Sequence, residues 1–175
     1  MKRTFVLGAA ILFAALFAMP AAAQKQNLSD AEIASISVAA NNIDIDAAKL
    51  AKSKSTNSEV LQFAQTMATD HKAVLDKAVA LVTKLGVTPK DNAVTKQLLA
   101  NAKKTANSLK SKSGHAFDAA YINNEVAYHK AVIALMNSRL IPEASNADLK
   151  NLLESVGPAF KAHLEHAEML QKKIK

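Results

Sequence analysis

The residues best suited to chemistry lie on one long predicted helix, between Ala116 and Leu140. At about 100° per residue, Asp118, Glu125 and His129 fall on the same face of that helix as its apolar side chains. Ionisable groups on an apolar face are unusual, because burying them without partners is costly. This face is therefore a candidate site.

Two further histidines lie on the apolar faces of other predicted helices. His71 falls in a stripe that includes Met67, and His163 lies near the middle of a stripe that includes Phe160. Counted from the predicted connections, His71, His129 and His163 all lie near the middle of their helices. Their side chains could therefore meet at one level of a helical bundle.

Two interpretations fit these residues. In the first, two or three imidazoles and a carboxylate bind one divalent transition-metal ion, such as zinc or copper. The predicted ligands are His71, Glu125, His129 and His163. In the second, interior polar side chains hydrogen-bond one another and fix the helix register without any ligand. That network comprises Asp70, His71, Asp118, Tyr121, Glu125, His129 and His163.

The spacing of the acidic residues does not favour an enzyme. Di-iron centres in helical bundles use Glu-x-x-His pairs, and the sequence contains none, since Glu125 and His129 are four residues apart. No serine or cysteine nucleophile arrangement and no glycine-rich phosphate loop is present either. We therefore expect a non-enzymatic protein that acts by binding.

The composition favours helices as the elements that position these side chains, because only four Gly and four Pro occur and no strand alternation stands out. A capping box at Ser29–Glu32 opens the first helix, whose predicted apolar stripe runs from Ile36 to Leu50 with Asp44 and Asp46 at its two sides. A second helix begins near Ser58.

The rest of the chain completes the predicted bundle. A weaker pattern from Asp91 to Leu109 predicts a shorter crossover helix or helix pair, and Ile141-Pro142 is expected to close the helix that follows. Ser145–Asp148 caps the last helix, in which Pro158 is expected to produce a kink. The predicted fold is all-α, an antiparallel four-helix bundle with an extra short crossover helix between helices 2 and 3.

The first residues have the pattern of an export signal. A basic start at Lys2 and Arg3, an apolar run from Phe5 to Met19 and the small residues Ala21 to Ala23 predict a signal peptide over residues 1–23. The helical domain then covers residues 24–175. We expect a periplasmic or secreted protein, with no transmembrane helix in the mature chain, because the apolar run is shorter than the roughly 20 residues of a span.

The net charge of +7 comes from lysines spread over several helices with few aromatic residues among them. This pattern is typical of solvated helix faces and predicts no nucleic-acid partner. It allows a weak association with an anionic envelope surface.

Four blocks of sequence resemble the DUF4142 family of exported bacterial proteins: A-N-N-I-D-I-D-A-A-K-L-A, V-L-Q-F-A-Q-T-M-A-T-D-H, F-D-A-A-Y-I-N-N-E-V-A-Y-H and F-K-A-H-L-E-H-A. The resemblance covers residues 28 to 173 and implies a ferritin-like bundle. The family's recurring positions correspond here to Asp70, His71, Phe117, Asp118, Tyr121, His129 and His163.

Two departures from the family pattern bear on a metal site. Tyr128 stands where an aspartate usually precedes the histidine, and Asp44 and Asp46 stand where the first helix usually carries glutamate. Shorter acids reach less far into a bundle. The leading hypothesis is therefore an exported, non-enzymatic binding or interaction module with a structural polar interior. The alternative is a metal-binding, or metal-dependent ferritin-like, periplasmic protein.

Overall fold

The computed structural model describes residues 27–174, and all regular secondary structure in that range is helical. The predicted all-α class is confirmed, whereas the antiparallel, ferritin-like arrangement of four helices stays a prediction. The predicted signal peptide and its cleavage site lie outside the described residues. The helices are α1 (Asp30–Lys54), α2 (Ser58–Lys84), α3 (Ala93–Lys110), α4 (Gly114–Leu135), α5 (Ile141–Glu143) and α6 (Ala147–Lys173), with a π-helical turn at Met136–Leu140.

Side chains cap the starts of α1, α2, α3 and α6, whereas α4 has no side-chain cap within residues 27–174. The Ser29 hydroxyl accepts the Glu32 amide at 3.3 Å, and a Glu32 carboxylate oxygen accepts the Ser29 amide at 3.0 Å. The Asn57 side chain likewise accepts the amides of the first turn of α2. These caps satisfy N–H groups that have no partner within the helix, which fixes where α1 and α2 begin.

The crossover segment is one continuous helix of 18 residues, α3, and not a pair. Gly86, with a φ of 63°, ends α2 ahead of it, in a conformation that glycine adopts without strain. From there α3 packs mainly against α1 and to a smaller extent against α4. No helix within residues 27–174 has the length and apolar character needed to cross a bilayer.

The prediction that Ile141-Pro142 closes the third long helix is wrong. After α4, the helical path continues through the π-helical turn and α5 as far as Glu143. Pro142 follows the π-helical turn, in which the Ile141 amide bonds to the Met136 carbonyl, and the path ends one residue later, so its missing N–H group removes at most one bond near the end of the helix. Pro158 also lies inside a helix, and α6 is continuous from Ala147 to Lys173.

Two apolar clusters form the core. One joins the C-terminal parts of α1 and α6 to the N-terminal parts of α2 and α4, and includes Phe63 and Tyr121. The other joins the opposite parts of the same helices, and includes Ile36 and Phe160. Asp44, His71 and His163 fall between the positions that α1, α2 and α6 supply to these two clusters, and on α4 Glu125 and His129 lie where the two clusters adjoin. The polar residues are therefore enclosed by apolar layers on both sides.

Candidate metal centre

Five ionisable residues from four helices meet between the two apolar clusters. We call them the histidine–carboxylate cluster: Asp44 from α1, His71 from α2, Glu125 and His129 from α4, and His163 from α6. Each is at most 5 % exposed. The structure thus brings together all four residues predicted as metal ligands, and it adds Asp44.

The ligand atoms of the cluster are spaced as they would be around a single ion. His71 Nε2 lies 3.3 Å, and His129 Nε2 3.6 Å, from Asp44 Oδ2. One ring nitrogen from each of His71, His129 and His163 lies within 4.8 Å of the other two. Two ligands bound to one ion at about 2.0–2.2 Å are roughly 3–3.6 Å apart. Small side-chain movements would therefore place these atoms on a common centre.

Hydrogen bonds on the outer side of His71 fix its tautomer. Asn41 Nδ2 donates to the Ser37 carbonyl at 2.9 Å, which leaves the Asn41 amide oxygen facing His71. That oxygen lies 2.9 Å from His71 Nδ1. Because an amide oxygen only accepts hydrogen bonds, Nδ1 carries the proton and donates it. The lone pair on His71 Nε2 therefore points into the cluster.

The other two histidines are held in the same way. His129 Nδ1 donates to the backbone carbonyl of Glu125 at 3.0 Å, and His163 Nε2 donates to Asp70 Oδ2 at 2.9 Å. Their inner nitrogens, Nε2 of His129 and Nδ1 of His163, are left with lone pairs. Histidines that bind metals are typically oriented by such acceptors on the opposite ring nitrogen.

The inward atoms of the cluster lack hydrogen-bond partners among the described residues. They are Asp44 Oδ1 and Oδ2, His71 Nε2, Glu125 Oε2, His129 Nε2 and His163 Nδ1. Most buried polar groups in proteins have a partner, and leaving one unsatisfied costs about 1–3 kcal/mol. Six buried atoms of one cluster without a hydrogen-bond partner are therefore unlike a satisfied structural network.

Burial shifts the protonation of the cluster towards neutral forms. It raises the pKa of Asp44 to about 8. Burial, and next the charge of Asp44, raise the pKa of Glu125. Burial, and next the neighbouring histidines, lower the pKa of His71 to about 2. Burial lowers the pKa of His129 to about 4, against the opposing effect of its hydrogen bond to the Glu125 carbonyl. Near pH 7 without a cation, the carboxyls of Asp44 and Glu125 are therefore largely protonated and these imidazoles are neutral.

The remaining members of the predicted network lie around this cluster. Asp70 is half-exposed and hydrogen-bonds His163 at its outer edge. Tyr121 is buried, and burial followed by the charges of Glu125 and Asp44 raises the pKa of its phenol. The hydroxyl of Tyr121 and Oδ1 of Asp118 have no hydrogen-bond partner within residues 27–174. Among the members of the predicted network, the hydrogen-bonded pairs are Asp70 with His163 and His129 with the Glu125 carbonyl.

Sequence reasoning missed Asp44 and Asn41, because the predicted stripe of α1 shares Ile36 with the observed buried face but is rotated towards Ile43 and Leu50. The predicted stripe contains Ile43 and Leu50, which are only partly buried. The residues that face the interior include Ile36, Asn41 and Asp44. The spacing of three to four residues along Asn41, Asp44, Ala48 and Ala51 is the sequence signal that identifies this face.

Tyr128, which departs from the family pattern, lies beside the cluster and not in it. Its hydroxyl donates to the Ala40 carbonyl at 2.8 Å, and its ring contacts the edge of His129. Tyr128 therefore joins α4 to α1 and supports the orientation of His129. Asp44 reaches the interior even though it is shorter than the glutamate usual in the family.

The molecule is thus a helical protein with a buried histidine–carboxylate cluster. Residues 16–170 match the family described as "Domain of unknown function (DUF4142)", and the chain belongs to that family. The resemblance seen in the sequence motifs is confirmed. No curated protein and no solved structure matches the chain.

Proposed function

We propose that this protein binds one divalent transition-metal ion through His71, His129, His163 and at least one of the carboxylates of Asp44 and Glu125. Two observations support this proposal best: six buried nitrogen and oxygen atoms of the cluster have no hydrogen-bond partner among the described residues, and three imidazoles each bring a ring nitrogen within 4.8 Å of the other two. A cation interacts favourably with all of them at once, which neither a water molecule, with two hydrogens, nor an apolar ligand can do.

Charge balance supports a divalent ion. Three neutral imidazoles and two ionised carboxylates carry a charge of −2, which a divalent cation cancels in a site that is almost closed to solvent. A buried charge is tolerated when it is compensated in this way. Binding displaces the protons held on Asp44 and Glu125 in the metal-free protein, so that ion and carboxylates form a neutral unit.

The donor set selects among metals. Three nitrogens and one or two carboxylate oxygens suit Zn²⁺, Fe²⁺, Co²⁺, Ni²⁺ or Cu²⁺, whereas Mg²⁺ and Ca²⁺ prefer oxygen ligands alone. The chain has no cysteine, so thiolate-dependent sites are excluded. Since Glu-x-x-His pairs are absent from the sequence, we propose a site for one ion and not a di-iron centre.

The proposal includes the finer architecture and the compartment. The two core clusters join opposite ends of successive helices, which supports an antiparallel, ferritin-like bundle of α1, α2, α4 and α6 with α3 as the crossover. The signal-peptide pattern of residues 1–23 supports export to the periplasm or beyond. A mass spectrum of the exported protein should show a chain that begins at Gln24.

Elemental analysis of untagged protein tests metal binding. The protein is stripped with a chelator, incubated with a mixture of first-row divalent metals and dialysed. We expect about one ion per chain. A His129→Gln variant should retain little metal, whereas His115→Gln, which alters an exposed histidine on the same helix, should retain the full amount. Circular dichroism checks that both variants are folded. Wild-type protein without metal, or His129→Gln with as much metal as wild type, would contradict the proposal.

A purely structural role for the polar interior is the second candidate. The hydrogen bonds of His71 with Asn41 and of His163 with Asp70 favour it, because they join α1 to α2 and α2 to α6. In that case the wild-type protein retains no metal, and variants in the cluster change only stability. The protein would then act through its surface as a non-enzymatic binding module.

A further inference from the structure

A separate feature of the molecule is an apolar cavity between α1, α3 and α4, with a volume of about 480 Å³. Its walls include Ile43, Leu50, Leu98, Leu109 and Val132. Ligand pockets in proteins typically measure about 300–1,000 Å³ and have mostly apolar walls. The cavity therefore has the size and lining of a small-molecule site, and it lies on the side of α1 that faces away from the histidine–carboxylate cluster.

The rim of this cavity is cationic. Lys49, Lys103 and Lys110 border it and are exposed, and the one acidic residue on the rim, Asp46, is 3.1 Å from the ammonium group of Lys49. The ammonium groups of Lys103 and Lys110 form no ion pair with any residue between 27 and 174. An apolar interior below unpaired positive charges is complementary to an amphiphile with an anionic head.

We propose that this cavity binds a single-chain aliphatic carboxylate, with its chain along the apolar walls and its head beside Lys103 and Lys110. The one aromatic wall residue is Tyr128, whose hydroxyl is already bonded to the Ala40 carbonyl. The cavity thus lacks the stacking surfaces that favour nucleotides or aromatic ligands. The proposal does not depend on whether the cluster binds metal.

Calorimetric titration of the untagged protein with octanoate, decanoate, dodecanoate and dodecanol, all below micellar concentrations, tests the apolar part of the site. Burial of each added methylene should strengthen binding about fourfold. Dodecanoate should therefore bind about 200-fold more tightly than octanoate. Ala106→Phe places a ring in the cavity and should abolish binding of dodecanoate while the helical content stays unchanged.

Charge variants test the position of the carboxylate. Lys103→Gln should weaken dodecanoate binding up to about fivefold, which is the usual effect of one exposed ion pair, and leave dodecanol binding unchanged. Lys104→Gln is the matched control, since Lys104 is exposed on the same helix but does not border the cavity. It should change neither.

Several results would overturn the proposal. They are absence of dodecanoate binding, an affinity independent of chain length, full binding by Ala106→Phe, or equal effects of the two lysine variants. If dodecanoate binds only after residues 1–23 are removed, the natural occupant of the cavity would be that apolar segment of the chain and not a fatty acid. If the protein is a dimer that Ala106→Phe dissociates, and dodecanoate does not bind, the occupant of the cavity would be a second copy of the chain.

Discussion

Replacement of Asp44 by asparagine separates the metal-binding role of the cluster from a structural one. The change keeps the size of the side chain and removes its charge. The new amide can donate to His71 Nε2, which lies 3.3 Å from Asp44 Oδ2 and has no partner among the described residues. Since burial raises the pKa of Asp44 so that its carboxyl is already largely protonated near pH 7 in the metal-free protein, we expect metal-free Asp44→Asn protein to match metal-free wild type in stability within about 1 kcal/mol.

The stabilisation that bound metal gives should be smaller in Asp44→Asn than in wild type. At a metal concentration 100 times Kd, binding stabilises the wild-type fold by about 2.7 kcal/mol. In a domain of this size, that corresponds to an increase in Tm of about 5–11 °C. Loss of even an outer partner of a ligand weakens metal affinity about 10–100-fold, and loss of a carboxylate ligand should do at least as much. The same metal concentration then stabilises the variant by about 1.4 kcal/mol or less, and its Tm rises by less than about 6 °C.

The assay is thermal unfolding followed by circular dichroism, with and without the metal that the wild-type protein retains. Asp46→Asn is the control, because Asp46 is an exposed residue of the same helix whose partner is Lys49. It should show the full wild-type shift. An equal metal-dependent shift in Asp44→Asn and wild type would refute the assignment of Asp44 as a ligand.

Three further predictions concern the hydrogen bond that orients His71, the effect of pH and the apolar core. Asn41→Ala removes the acceptor that orients His71 and should weaken metal affinity about 10–100-fold, as measured by competition with a chelating dye. Because burial raises the pKa of Asp44 to about 8, metal-free protein should lose stability as the pH rises from about 6.5 to 8, by up to about 1.4 kcal/mol per pH unit in urea unfolding. His71 and His129, whose pKa values burial lowers, are about half protonated in the unfolded chain at pH 6.5 and oppose the loss there, so the trend should be steepest above about pH 7. Bound metal should abolish it. Phe63→Ala removes a fully buried ring and should lower the free energy of unfolding by about 3–5 kcal/mol in the same assay.

Each of these predictions has a matched control. Asn42→Ala, at an exposed position next to Asn41, should leave metal affinity unchanged, and equal effects of the two changes would contradict the role given to Asn41. Asp44→Asn should reduce the loss of stability above pH 6.5, and an undiminished loss would show that other groups cause it. Val79→Ala, at an exposed apolar residue, should change stability by less than about 0.5 kcal/mol. A similar loss in Val79→Ala and Phe63→Ala would contradict the assigned core.

The local signals of the sequence predicted the helices well. The capping box at Ser29, the start near Ser58 and the glycine stop at Gly86 all appear in the structure, because capping and positive φ depend on only a few neighbouring residues. The end of the third long helix was not predicted correctly. A proline signals a break in the interior of a helix, whereas Pro142 follows the π-helical turn one residue before the path ends, where its missing N–H group removes at most one bond.

The burial of the histidines was also predictable from local sequence. His71 and His163 lie within clear apolar stripes on α2 and α6, whose opposite faces are polar. Such a stripe defines the buried face of a helix, so its histidines had to point inwards. The sequence therefore determined which imidazoles are buried, but not which of their ring nitrogens face one another.

The tertiary structure alone decided the role of Asp44. Helix α1 packs against α2 on one side and α3 on the other, so its apolar residues surround much of its circumference and do not single out one face. Ile43 and Leu50 line the cavity beneath α3, while Asn41 and Asp44 point into the bundle. The choice between these faces depends on the position of α3, which lies about 50 residues further along the chain. Local sequence determined the helices and the buried histidines; the packing of distant helices determined which acid and which amide complete the site.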